Sequence, residues 1–224
     1  MNSIGIGIHG TGLSADYHGY ALAKNKYFSL KAVSDDGYPQ ALSYAKRHHV
    51  DKCYGDLEYL LSCPDVDIVV VASPFFDNVK ILPYIIETGR SVIMETPLAG
   101  SMEDAERIVG MAEDIFLFPV SQMASDPLMK YTSSLIKEGV LGEIRDFSLL
   151  WSFPSPVKRW MNQWGREKHF DEKLLFLQSA SGAFNLVYTL FGVDEVLKVE
   201  EGIDGVRIVF NNGSLVINDG NKGF

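Results

Sequence analysis

Through the first half of the chain, short continuous apolar runs alternate with longer segments whose apolar residues recur every three or four positions. The runs fall at residues 4–9, 30–34, 68–72, 91–94 and 116–120, and the helix-period segments at 13–24, 40–48, 78–88 and 102–113. A strand that is apolar on both sides must be covered on both faces, and alternating helices supply the cover. The pattern predicts an α/β domain with a doubly wound parallel sheet. Near residue 119 the rhythm changes: 127–138 read as one helix, and 144–153, 195–200, 206–210 and 214–217 read as strands without helices between them. Asn211-Asn212-Gly213 is a hairpin turn signal joining the last two. The chain is therefore expected to divide into a first domain at 1–119 and an α+β domain with a mostly antiparallel sheet at 120–224.

Bulk properties narrow the function without naming it. With 224 residues, 46% of them hydrophobic, the chain can bury a substantial core. Its 20 basic and 29 acidic residues leave a formal charge of -9, which weighs against nucleic-acid and anionic-membrane partners. The nearest basic cluster, Lys158, Arg159, Arg166 and Lys168, is short and interleaved with acids. Cys53 and Cys63 lack metal-ligand spacing and suit a reducing compartment. No basic n-region precedes the first apolar run, and residues 68–72 and 115–120 are too short to span a bilayer. The expectation is a cytoplasmic protein with no metal site and no membrane segment.

Between the first strand and the first helix lies Gly10-Thr11-Gly12-Leu13-Ser14-Ala15, a GxGxxA run in the context that gives this motif meaning. The first glycine makes the tight turn, the second lets a pyrophosphate approach the backbone, and Ala15 permits close helix–sheet packing. The helix N-terminus then presents its amides to the phosphates. Asp35, about 20 residues on, ends the second strand, where a carboxylate can accept hydrogen bonds from the adenosine ribose. Asp36 follows, and no arginine accompanies the pair, so NAD is expected in preference to NADP.

The ordered marks along the chain resemble the glucose-fructose oxidoreductase and inositol dehydrogenase (Gfo/Idh/MocA) family. They are the loop Gly10 to Ala15 with His18 after it, Asp35, Asp65-Val66-Asp67, and Ala72-Ser73-Pro74 at the fourth strand's end. Glu95-Thr96-Pro97-Leu98-Ala99 follows, similar to the family's Glu-Lys-Pro-Leu-Ala, and then Asp126-Pro127 and residues 139–144. The resemblance implies a two-domain NAD(P)-dependent oxidoreductase with an N-terminal Rossmann domain, acting on a sugar, polyol or related hydroxyl or carbonyl compound. It also implies a cofactor site that includes Ala72, Ser73, Pro74, Glu95 and Pro97, a cis bond between Thr96 and Pro97, and a homo-oligomer formed through the second-domain sheet. The family generally continues through further strands, so that sheet is expected to be shortened.

The catalytic positions depart from the family. Thr96 stands where the lysine is expected, and the segment 178–185, aligned with the family's histidine helix, has Gln178, Gly182 and Asn185 where aspartate, histidine and aspartate are expected. Oxidising an alcohol requires a group that takes the hydroxyl proton, and a threonine hydroxyl has no usable proton affinity near neutrality. Lys168 and His169, in the aromatic-rich loop 160–169, are candidate replacements, with Tyr188 a further one. Phe75 and Phe76 read as packing residues, His9 as a satisfied core histidine, and His48 and His49 as helix-terminal residues. The expectation is an oxidoreductase with weakened or lost catalysis; the alternative is a non-catalytic dinucleotide-binding sensor or assembly partner.

Overall fold

The computed structural model describes residues 3–144, 146–152, 172–192, 195–202, 205–211 and 213–218. The chain forms two compact units, Met1–Val120 and Ser121–Phe224.

The first unit contains β1 (Ile4–His9), α1 (Leu13–Ala23), β2 (Phe28–Ser34), α2 (Tyr38–His48), β3 (Lys52–Tyr54), α3 (Leu57–Leu61), β4 (Ile68–Val71), α4 (Asn78–Ile86), β5 (Ser91–Glu95), α5 (Met102–Met111) and β6 (Leu117–Val120). All six strands pair in parallel, in the order β3-β2-β1-β4-β5-β6. The short strand β3 carries no distinct apolar run and was not legible in the pattern.

Strand alternation sorts the core onto two faces. Ile6, Ile8, Val33 and Val70 pack with Ala15, Tyr44 and Ala45 beneath α1 and α2. Val69, Val71, Val92 and Met94 pack with Leu60, Leu82, Ile85 and Ile108 beneath α3, α4 and α5. Ile8, Leu82 and Ile108 are fully buried, each contributing about 1.5–3 kcal/mol relative to exposure. Helix ends are set locally: Asp56 accepts from the Tyr59 amide and Ser101 from the Asp104 amide, while α2 stops at His49, whose φ is 55°.

The second unit contains α6 (Gln122–Ser125), α7 (Pro127–Lys137), β7 (Phe147–Ser152), α8 (Glu172–Phe191), β8 (Val196–Gly202), β9 (Gly205–Phe210) and β10 (Gly213–Asn218). Its sheet runs β7-β10-β9-β8; β10 pairs with β9 and β9 with β8 antiparallel, and β10 with β7 parallel. Asp126 caps α7 through the Leu128 and Met129 amides, with Pro127 opening the helix. The expectation of strands without an intervening helix is corrected: the 20-residue α8 separates β7 from β8. Ala180, Ala183 and Val187 on α8 pack against Phe147, Ile208, Phe210, Leu215 and Ile217, which is why the helix lies on the sheet.

Candidate functional site

Because all strands of the first sheet are parallel, their carboxyl ends share one rim, and the chain crosses from β3 at one edge to β4 beside β1. The crevice outside that β1/β4 switch point is where open α/β sheets bind ligands. The glycine loop ends β1, Asp35 ends β2, Ala72, Ser73 and Pro74 follow β4, and Glu95 ends β5, so strand order makes them neighbours along the rim.

Gly10 has a φ of 86°, a region that favours glycine. A Cβ there would stand 2.5 Å from the Ser73 amide nitrogen and 2.7 Å from the Ala72 carbonyl carbon. Both turn and close approach thus require glycine. Gly12 is the N-cap of α1 and offers no side-chain acceptor, whereas α3, α5, α6 and α7 are closed by Asp56, Ser101, Ser121 and Asp126. The first amides of α1, including those of Leu13 and Ser14, therefore lack a side-chain cap and suit an anion. Ala15 is fully buried, and its carbonyl accepts from the Tyr44 hydroxyl at 2.7 Å.

Asp35 is engaged within the chain itself. One carboxylate oxygen accepts from the Thr11 amide and hydroxyl, both at 2.8 Å, and the other accepts from the Gly37 amide at 2.8 Å. These bonds brace the glycine loop against the end of β2, and each oxygen keeps acceptor capacity. Beside Gly10, the Ser73 hydroxyl is buried with no hydrogen-bond partner among the described residues.

At the end of β5 the peptide between Thr96 and Pro97 is cis, as the resemblance implied. The Thr96 hydroxyl donates to the Val120 carbonyl at 2.9 Å, tying the turn to β6. Asn78, 1% exposed, donates to the Leu98 carbonyl at 2.9 Å and so anchors the far side of the same turn. Glu95 points the other way and meets His18 of α1, with Oε1 and Nε2 2.6 Å apart. The sequence offered both residues singly; their pairing depends on the α1 helix lying over the face to which Glu95 points.

Other candidates are structural. His9 is 4% exposed and bonded to the Ser34 hydroxyl at 3.0 Å, and burial lowers its pKa against the pull of Asp36 and Asp35. His48 pairs with Asp16 at 2.8 Å, and Arg47 adds a second bond to that carboxylate at 2.9 Å. Burial alone would raise the Asp16 carboxyl, but Arg47 and His48 outweigh it and hold it below its ordinary value. Phe75 is buried and stands edge-on to Phe76.

In the second unit, a Cβ at Gly182 would lie 3.6 Å from the Trp151 ring, so this position of α8 faces β7. Tyr188 is exposed, and the Gln178 side-chain oxygen is buried without a partner among the described residues. Lys168 and His169 lie outside the described residues. Among the described residues no cluster of His, Cys, Asp and Glu could hold a metal, and no helix is long and apolar enough to cross a membrane.

The parallel sheet order, the glycine turn and the braced acidic residue define a Rossmann-type α/β domain. Residues 4–115 match the model of the Gfo/Idh/MocA family, described as an oxidoreductase family with an NAD-binding Rossmann fold, and the chain belongs to it. It is 26% identical over 192 residues to an uncharacterized oxidoreductase of Synechocystis, covering 84% of this chain and 51% of that protein. The chain thus spans about half the length of this curated relative, and 34% of an uncharacterized Saccharomyces cerevisiae protein to which it is 32% identical.

Solved structures share the fold. KijD10, a 3-ketoreductase from Actinomadura kijaniata in complex with TDP-benzene and NADP, superposes with a TM-score of 0.80 at 19% identity, over 98% of this chain and 70% of that one. The WlbA dehydrogenase from Bordetella pertussis, in complex with NADH and UDP-GlcNAcA, gives 0.82 at 18% identity, over 97% and 71%.

Proposed function

We propose that this chain is an NAD-dependent oxidoreductase acting on a sugar, polyol or related hydroxyl or carbonyl compound, through a site that works without the family lysine. The observation that carries it is Gly10, whose positive φ and exclusion of a Cβ open a cradle beside the uncapped start of α1. Amides of Gly12, Leu13 and Ser14 would hold the pyrophosphate, Asp35 the adenosine ribose, and Ala72, Ser73, Pro74, Glu95 and Pro97 would border the nicotinamide half. The unsatisfied Ser73 hydroxyl supports a polar ligand there. When bound, the nicotinamide supplies the hydride chemistry.

Asp35 and Asp36, with no arginine beside them in the sequence, support NAD over NADP, because two carboxylates repel a 2′-phosphate. The sugar-nucleotide ligand of the Bordetella dehydrogenase supports a sugar-like substrate. We assign cofactor binding to the first unit and substrate binding and homo-oligomer formation to the second, in a cytoplasmic protein.

A second interpretation, a dinucleotide-binding sensor without turnover, is favoured by the engagement of the Thr96 hydroxyl with the Val120 carbonyl and by the absence of a histidine at Gly182. Fluorescence titration tests the shared premise. NADH is expected to bind with a sub-millimolar Kd, about tenfold or more tighter than NADPH, a difference of about 1.4 kcal/mol. Failure of both nucleotides to bind overturns the cofactor assignment. If NADH binds, a screen of sugars, polyols and sugar acids for change in cofactor absorbance separates enzyme from sensor.

A further inference from the structure

We propose that His18 and Glu95 together form the proton-carrying group of this site, in place of the absent lysine. The proposal rests on the dinucleotide-binding function put forward above. Its basis is the alternation of β5. Val92 and Met94 face the core beneath α4 and α5, and Ile93 packs on the opposite face, beneath α1 and α2. Glu95 has the parity of Ile93 and is the last residue of the strand. Its carboxylate therefore clears the core at the rim on the α1 side.

His18 lies in the second turn of α1, the helix that the glycine loop opens. The 2.6 Å bond from its Nε2 to Glu95 Oε1 joins that helix to β5, across the position of β4 in the order β1-β4-β5. In a doubly wound sheet the half containing β1, β2 and β3 takes the adenosine end of a dinucleotide and the half beginning at β4 takes the nicotinamide end. The pair thus belongs to the reacting end. Its side chains are 21% and 22% exposed, enough to exchange protons with a ligand or with water.

Among the described residues, the groups that follow are otherwise engaged. Thr96, next along the turn, donates its hydroxyl to Val120 and has no proton affinity near neutrality. Asp16, on the same helix, is turned to Arg47 and His48 of α2. His9 is buried against Ser34, Asp35 is engaged by Thr11 and Gly37, and Asp77 pairs with Lys80.

The chemistry balances. Oxidation of a hydroxyl breaks a C–H and an O–H bond and forms C=O; a bound nicotinamide would accept the hydride with its electron pair, and the oxygen loses a proton. An ionised Glu95 only accepts, so the bond places the imidazole hydrogen on Nε2 and leaves the Nδ1 lone pair as the base. Nδ1 takes the hydroxyl proton, Glu95 stabilises the imidazolium, and the proton passes to water. In the reverse direction the same pair donates it.

The test is calorimetric and needs no substrate. The nicotinamide ring is positively charged in NAD⁺ and neutral in NADH, so a proton carrier beside it must lose proton occupancy when NAD⁺ binds. Titrations of the full chain with NAD⁺ and with NADH between pH 5.5 and 8, in buffers of different ionisation heat, are expected to show proton release with NAD⁺ only. The ratio of the NADH Kd to the NAD⁺ Kd should rise with pH by up to about tenfold per unit, the limit for one linked proton. H18Q and, independently, E95Q should flatten that rise, read as the ratio of the two dissociation constants. Equal pH dependence for the two nucleotides, or a difference that survives in H18Q and E95Q, overturns the proposal and leaves the cofactor assignment standing. Absence of binding by either nucleotide to the unmodified protein overturns both.

Discussion

His9 gives the fold one source of acid sensitivity. It is buried, it bonds to Ser34, and burial holds its imidazole below the ordinary value of 6.5. As pH falls below 6.5 the unfolded chain takes up this proton while the folded protein still declines it, so stability rises with pH in that window and is lost on acidification. The loss is bounded at about 1.4 kcal/mol per pH unit for one proton. Asp16 acts lower: its carboxyl is held below 3.8, so its contribution is present above that value and disappears as pH falls through the folded pKa. Urea melts at pH 7.5 and 5.5 are expected to show a smaller acid loss in H9N than in the parent chain. His9 was legible as a core residue because it closes an apolar strand; the bracing of Thr11 by Asp35 was not, since it needs two strand ends side by side.

At the scale of elements, α8 is the longest helix that apolar periodicity missed. In its sequence Leu174, Leu175, Phe176 and Leu177 form a continuous apolar run and small residues follow. Such a segment shows no narrow stripe, and short apolar runs do not distinguish strand from helix. Only the family resemblance pointed to a helix near 178–185. Gly182 sits within it, and its added Cβ would make an ordinary contact with Trp151. Gly182→Ala is therefore expected to raise stability by about 0.5–1 kcal/mol, by removing backbone freedom from the unfolded chain, as measured by thermal or urea unfolding. A side chain as long as histidine would grow from a Cβ already touching Trp151, so the family residue does not simply drop back into place.

For the whole molecule, the second sheet has one face covered by α8 and another with no covering helix among the described residues. Cross-strand register sets Leu150, Val216, Arg207 and Glu200 in one row, and Ser148, Ser214, Val209 and Lys198 in the next. Leu150 is 50% exposed, and Glu200 pairs with Lys198 at 2.7 Å and with Arg207 at 3.8 Å. An apolar strip flanked by charge suits a second copy of the same face. Sedimentation velocity is expected to show an oligomer that the double variant L150K/V216K converts to monomer. A monomeric parent chain would refute the homo-oligomer assigned to this unit.

The order of strands and helices in the first unit apart from the short β3 and α3, the place of the glycine loop and the absence of lysine at Thr96 were determined by the sequence alone. These features are local: a run's length, a period and a residue type at a fixed offset carry them. The tertiary structure decided what lies beside what. It placed Ser73 against Gly10, turned Asp35 into the brace of its own loop, set Trp151 against Gly182, and brought His18 to Glu95 across 77 residues of chain. Those contacts depend on strand order and helix placement, which the linear pattern does not encode one residue at a time.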